Sequence, residues 1–209
     1  MSYGEPVHPI ERLRYLARLE PSRVDVIAAE AADTLLACAA DPAELVVACR
    51  RLLDRHPAAG PLWWVASSAL TSADPHATLM AVMRTLDDDP TPLFVDAELA
   101  VNPDAVVVTA WSFGTDGVYS APPEVADAEE AFAAGEAVVV AGGVARGLPG
   151  PVWRAAVARV ERLASRRPAL LDWACVTTVV GPEGLFTPAE AVAAASCPVA
   201  PELFGGRNS

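Results

Sequence analysis

Pro90 separates two hydrophobic rhythms in this chain, and any fold has to satisfy both. Before it, apolar residues recur at helical spacing between prolines. In residues 24–39, Ile27, Ala31, Leu35 and Cys38 fall on one face. Asp41, Pro42 and Glu44 then give a helix start with a capping carboxylate, a first-turn proline and a Glu three residues after the cap. That helix is expected to run to Arg55. A third is expected from Pro61 and a fourth from Asp74 and Pro75 to just before Asp87. Trp63 and Trp64 are adjacent and cannot share one helical face, so one should pack inward while the other marks an interface.

After Pro90 short β-branched runs alternate with helical stretches, the pattern of a parallel or mixed α/β sheet. Strands are expected at residues 93–95, 105–110, 137–141 and 175–180, and helices at 124–134 and 152–166. A last short helix is capped by Thr187, Pro188 and Glu190. The expectation is an α/β protein: a helical N-terminal region (1–86), a small Rossmann-like, mostly parallel sheet flanked by helices (87–204), and a mobile tail (205–209).

Composition narrows the chemistry. All 15 basic residues are arginine, so Schiff-base catalysis, a P-loop lysine and a kinase-type lysine are excluded. Glutamine is also absent, and the Ala, Val, Arg and Pro bias points to a GC-rich bacterial genome. A net charge of -12 repels nucleic acid and anionic membranes, although it leaves room for a local basic patch. There is no signal-peptide core or membrane-length apolar run, which leads to the expectation of a cytoplasmic protein. Cys38, Cys49, Cys175 and Cys197 lack ligand spacing and read as reduced structural thiols. His8, His56 and His76 each adjoin a proline and show no metal spacing. They read as solvated or cap-region residues. Asp87, Asp88 and Asp89 read as a solvated loop before they read as a cation site.

Ligands of open α/β sheets bind beyond the carboxyl ends of strands, which directs attention to two loops. One contains Gly142, Gly143 and Arg146, where backbone amides and a guanidinium could meet an anion. Its alternative is a tight strand exit with a solvated arginine. The other contains Thr109, Trp111, Ser112 and Asp116, and its Asp116-Gly117 pair reads first as a hairpin turn and second as an acid catalyst.

Residues 106–118, VVVTAWSFGTDGV, resemble the segment VLVGADAIGPDGVVNK of the translation initiation factor 2B alpha, beta and delta subunit family. The same superfamily includes methylthioribose-1-phosphate and ribose-1,5-bisphosphate isomerases. Residues 133–141 and 175–184 resemble later segments of that family, and residues 55–62, RHPAAGPL, resemble a helix end in its N-terminal domain. The match sets Trp111 where the isomerases carry a catalytic Asp, and Ser120 and Ala121 where they carry Asn-Lys. Residues 87–104 contain no cysteine to match the catalytic one. The resemblance therefore implies a shortened, non-catalytic relative that forms a homodimer and senses a phosphorylated metabolite or nucleotide. No cofactor and no metal are expected. Thr109, Trp111, Ser112, Asp116, Gly142, Gly143 and Arg146 are the candidate ligand-binding residues. The alternatives are an interaction scaffold without a small-molecule site, and an enzyme with a rearranged site built on Asp116 with Ser112, Thr115 or Ser120.

Overall fold

The computed structural model describes residues 24–165 and 167–204. His8 and the tail 205–209 lie outside them. Four helices form the first layer: α1 (Val24–Leu36), α2 (Pro42–Arg55), α3 (Gly60–Thr71) and α4 (Pro75–Asp87). Capping sets their starts. The Asp41 carboxylate accepts from the amides of Ala43 and Glu44, and Asp74 accepts from Ala77. Helix α3 is apolar nearly all round and sits in the centre, in contact with α1, α2 and α4. Trp63 is fully buried on it and donates Nε1–H to the Pro57 carbonyl at 2.8 Å, whereas Trp64 is half-buried.

A fifth helix, α5 (Thr91–Val101), replaces the strand expected at 93–95. Three apolar residues cannot separate strand from helix by period alone. The local start decides it: Asp89 accepts from the Thr91 amide at 2.9 Å, and Pro92 sits in the first turn.

Strands β1 (Val106–Thr109), β2 (Ser112–Gly114) and β3 (Gly117–Ser120) follow, then α6 (Pro122–Ala134), β4 (Val138–Ala141), α7 (Gly150–Val160) and β5 (Ala169–Leu171). The chain continues through a 3₁₀ turn (Trp173–Cys175), β6 (Thr178–Gly181), β7 (Gly184–Phe186), α8 (Pro188–Ala193) and a final 3₁₀ turn (Pro201–Leu203). The helix expected over 152–166 stops at Val160, so its last apolar pair, Leu163 and Ala164, lies beyond the helix. Thr187 and Glu190 make the expected capping box on α8.

The protein is mixed α/β. Its main sheet has the order β1-β4-β6-β7, with β1, β4 and β6 parallel and β7 antiparallel at the edge. Of the second, antiparallel sheet, β2-β3-β5, the hairpin at Asp116-Gly117 was expected and the pairing with β5 was not. In its hairpin Gly114 pairs with Gly117, so Thr115 and Asp116 form the turn and Gly117 follows it. The apolar core falls into two clusters. One joins the helical layer to Trp111, Tyr119 and α7, and the other fills the space between the main sheet, α6 and the small sheet.

Candidate functional site

The parallel register brings the carboxyl ends of the strands side by side, with Thr109 opposite Ala141 and Ala141 opposite Val180. Leaving β4, the Gly142 amide donates to the Val180 carbonyl at 2.7 Å, and the chain then turns through two left-handed residues, Gly143 (φ 59°) and Ala145 (φ 57°). A non-glycine residue at such a φ is uncommon and marks a constrained loop.

The constraint is Arg146, which is buried, contrary to the expected solvated side chain. Its guanidinium donates to the Ala110 carbonyl and, at 2.6 Å, to the Asp25 carboxylate on α1. Its own carbonyl accepts from the Phe113 amide at 2.9 Å. A Cβ on Gly143 would lie 2.6 Å from the arginine Nε, so this glycine makes room for the chain's own guanidinium. The Val144 amide between the two left-handed residues donates to Asp89 at 3.1 Å. The guanidinium and one loop amide, that of Val144, are thus engaged by carboxylates of the protein.

The other candidates divide. The Thr109 amide donates to Glu124 at 2.7 Å, and its carbonyl accepts from Ser120 Oγ, also at 2.7 Å, which closes the end of β1. Trp111 turns into the helical core, and its carbonyl accepts from the Gly60 amide at 2.8 Å. Ser112 is fully buried against Gly60, close to Arg146. Ser112 Oγ, Trp111 Nε1 and Arg146 Nε are all buried without hydrogen-bond partners, and sites of this kind are commonly satisfied by internal water. Asp116 lies on the exposed turn and accepts from Trp153 Nε1 at 2.9 Å. The structure therefore gathers Ser112, Gly143 and Arg146 at one junction and holds Asp116 apart, on the hairpin turn against Trp153 of α7.

An open cavity of about 120 Å³ lies beside this junction, lined by Gly142, Gly143, Arg146, Phe113, Phe186 and Glu183 among others. It adjoins a second space of about 460 Å³ that reaches Trp64, Arg84 and Asp88, and the two share Ala145, Pro182, Glu183 and Ser196. Sequence reasoning missed Asp25, Glu124, Glu183 and Ser196, which carry no local motif. Asp89 had one signal, its position two residues before Thr91.

Of the histidines, His56 is buried at the end of α2 and His76 is exposed in the first turn of α4. Cys38, Cys49 and Cys197 are buried thiols, and Cys175 is half-buried. Burial pushes the Cys49 and Cys197 thiols up to about 12, so they stay protonated and unreactive at neutral pH. Among the described residues, no group of three or more His, Cys, Asp or Glu is placed to hold a metal ion, and no helix is long and apolar enough to cross a membrane.

Fold and cavity define the class: a mixed α/β protein with an open space at the ends of its parallel strands. No family model matches the chain, and no curated protein matches it.

Proposed function

We propose that the protein is a non-catalytic ligand-binding or regulatory protein, a shortened relative of the initiation factor 2B superfamily, which works as a homodimer. It seats a small polar ligand in the joined cavities beyond β4 and β6. The observation that carries this reading is the engagement of Arg146 and the Val144 amide by Asp25 and Asp89 beside a space that stays open. The walls then offer Ser196 and Glu183, with Arg146 held by Asp25 and Arg84 sharing the far rim with Asp88 and Glu183. That balance favours a neutral or zwitterionic ligand over the phosphorylated one expected at the glycine loop, because a phosphate there would face carboxylates. The burial of Trp111, where the isomerases carry their acid/base, supports the absence of catalysis.

Helix α5 supports self-association. Leu93 is 71% exposed and Val101 76% exposed, and with Ala97 and Ala100 they form one apolar stripe at helical spacing. A second reading, an interaction protein with a different partner, draws on the same stripe.

A thermal-shift screen of neutral and zwitterionic metabolites tests the ligand. At a hundred-fold excess over Kd, binding adds about 2.7 kcal/mol, which raises Tm by roughly 5–10 °C in a chain of this size. Ser196→Trp, at an exposed position lining both cavities, should remove the shift. A screen without hits, or hits that survive Ser196→Trp, would sink the reading.

A further inference from the structure

Four arginines of this acidic, lysine-free chain converge on one cleft lined by α2, α7 and Phe204. Arg50 and Arg51 come from α2, Arg159 from α7 and Arg162 from just beyond its end. The cleft has a volume of about 690 Å³ and shares no lining residue with the strand-end cavities. Small organic ligands typically occupy spaces of about 300–1,000 Å³. Its floor is apolar, made by Val47, Ala155, Ala158, Leu163 and Phe204.

Two of the guanidinium groups are held in place. Arg159 donates Nε–H to Asp54 at 3.2 Å and an Nη2 hydrogen to the Leu203 carbonyl at 2.6 Å, while lying 4.8 Å from the Trp63 ring centroid. Arg50 donates Nε–H to the Glu202 carbonyl at 2.7 Å. The final 3₁₀ turn therefore fixes both, and each keeps donors free. Arg51 and Arg162 are exposed, and their side chains have no hydrogen bond or ion pair among the described residues. Among the described residues lining the cleft, the one acid, Asp54, is already engaged with Arg159. Burial, and then the charges of Arg162 and Arg50, push the Arg159 pKa down against the pull of Asp54. An anion entering the cleft relieves that crowding.

The geometry points to an anion site in this cleft for a small molecule that carries a phosphate group on an aromatic or apolar body, the class to which mononucleotides belong. The Arg51 and Arg162 forks grip phosphate oxygens in pairs, Arg50 and Arg159 supply further donors, and the ring covers Phe204, Leu163 and Val47. Inorganic phosphate alone would leave that apolar floor uncovered. A long polyanion would run out over a surface whose net charge is strongly negative.

Titration calorimetry on the full chain at low salt tests this, with AMP and ADP as probes and adenosine and inorganic phosphate as controls. AMP or ADP should bind at least about ten-fold more tightly than either control, with affinity falling as salt is raised. Arg51→Ala with Arg162→Ala should weaken nucleotide binding about ten-fold or more with Tm unchanged, since both side chains are exposed and unpartnered. Ser196→Trp should leave it intact, which separates this site from the strand-end cavity. The inference is overturned by no heat with AMP or ADP, by equal affinity for adenosine, or by unchanged binding in the double arginine variant. Tighter binding of an acidic peptide than of either nucleotide also overturns it.

Discussion

At the residue scale, two large side chains, Arg146 and Trp153, are accommodated because a glycine lies against each. Trp153 is fully buried, packs against Tyr119 with the rings tilted by 36° at a centroid distance of 5.1 Å, and donates to Asp116. A Cβ on Gly114 would lie 2.3 Å from its ring, closer than any real contact. Gly114→Ala should therefore cost at least the upper end of the usual overpacking range, about 3 kcal/mol. Gly150→Ala, whose Cβ would meet nothing closer than Arg154 Nη1 at 3.4 Å, should be neutral or slightly stabilising. Urea unfolding of the two variants checks the contrast, and equal stabilities would contradict the packing argument. The sequence shows a glycine-rich loop with an arginine, but not that the arginine turns inward. Its partner Asp25 lies 121 positions away on helix α1, and no local pattern encodes a tertiary ion pair.

At the element scale, helix starts were readable at most of the capped sites, though not at Asp89 before α5. Asp41, Asp74 and the Thr187–Glu190 box all behave as their spacing predicts. Strand identity was readable where valines run in series, at β1 and β4, and failed at 93–95, where the apolar run is short and a proline opens a helix. The small antiparallel sheet was only partly readable: its hairpin has a turn signal, whereas β5 depends on pairing with β3 far along the chain. Helix α5 shows why exposure has to be seen rather than inferred. Its sequence is apolar nearly all round, the pattern of a buried helix, yet only Thr91 is fully buried. If a second copy covers that stripe, Leu93→Asp with Val101→Asp should convert a dimer of about twice 21.8 kDa to a monomer with unchanged helix content. Light scattering and circular dichroism measure both properties, and a wild-type monomer would end the dimer reading.

At the scale of the whole molecule, charge and burial set the stability profile as well as the binding surfaces. An acidic chain that gathers four arginines in one cleft has an uneven field that the net charge of -12 conceals, and a sequence total cannot locate such a patch. The buried thiols lead to a testable pH response. Cys49 and Cys197 are pushed up to about 12 by burial, above the reference of 9.0 that applies to an open thiol. Burial, followed by the charges of Glu161 and Asp116, also raises Tyr119. The folded state therefore keeps protons that the unfolded state releases, so their contribution is complete below about pH 9 and is lost as pH rises toward 12. Each thiol can contribute at most about 1.4 kcal/mol per pH unit across that window. Urea unfolding between pH 8 and 10.5 should show stability falling with pH, and Cys49→Ala with Cys197→Ala should flatten the slope without abolishing it, because Tyr119 titrates in the same direction. An unchanged slope in the double variant would mean that the two thiols are not shielded from solvent as the helical core requires.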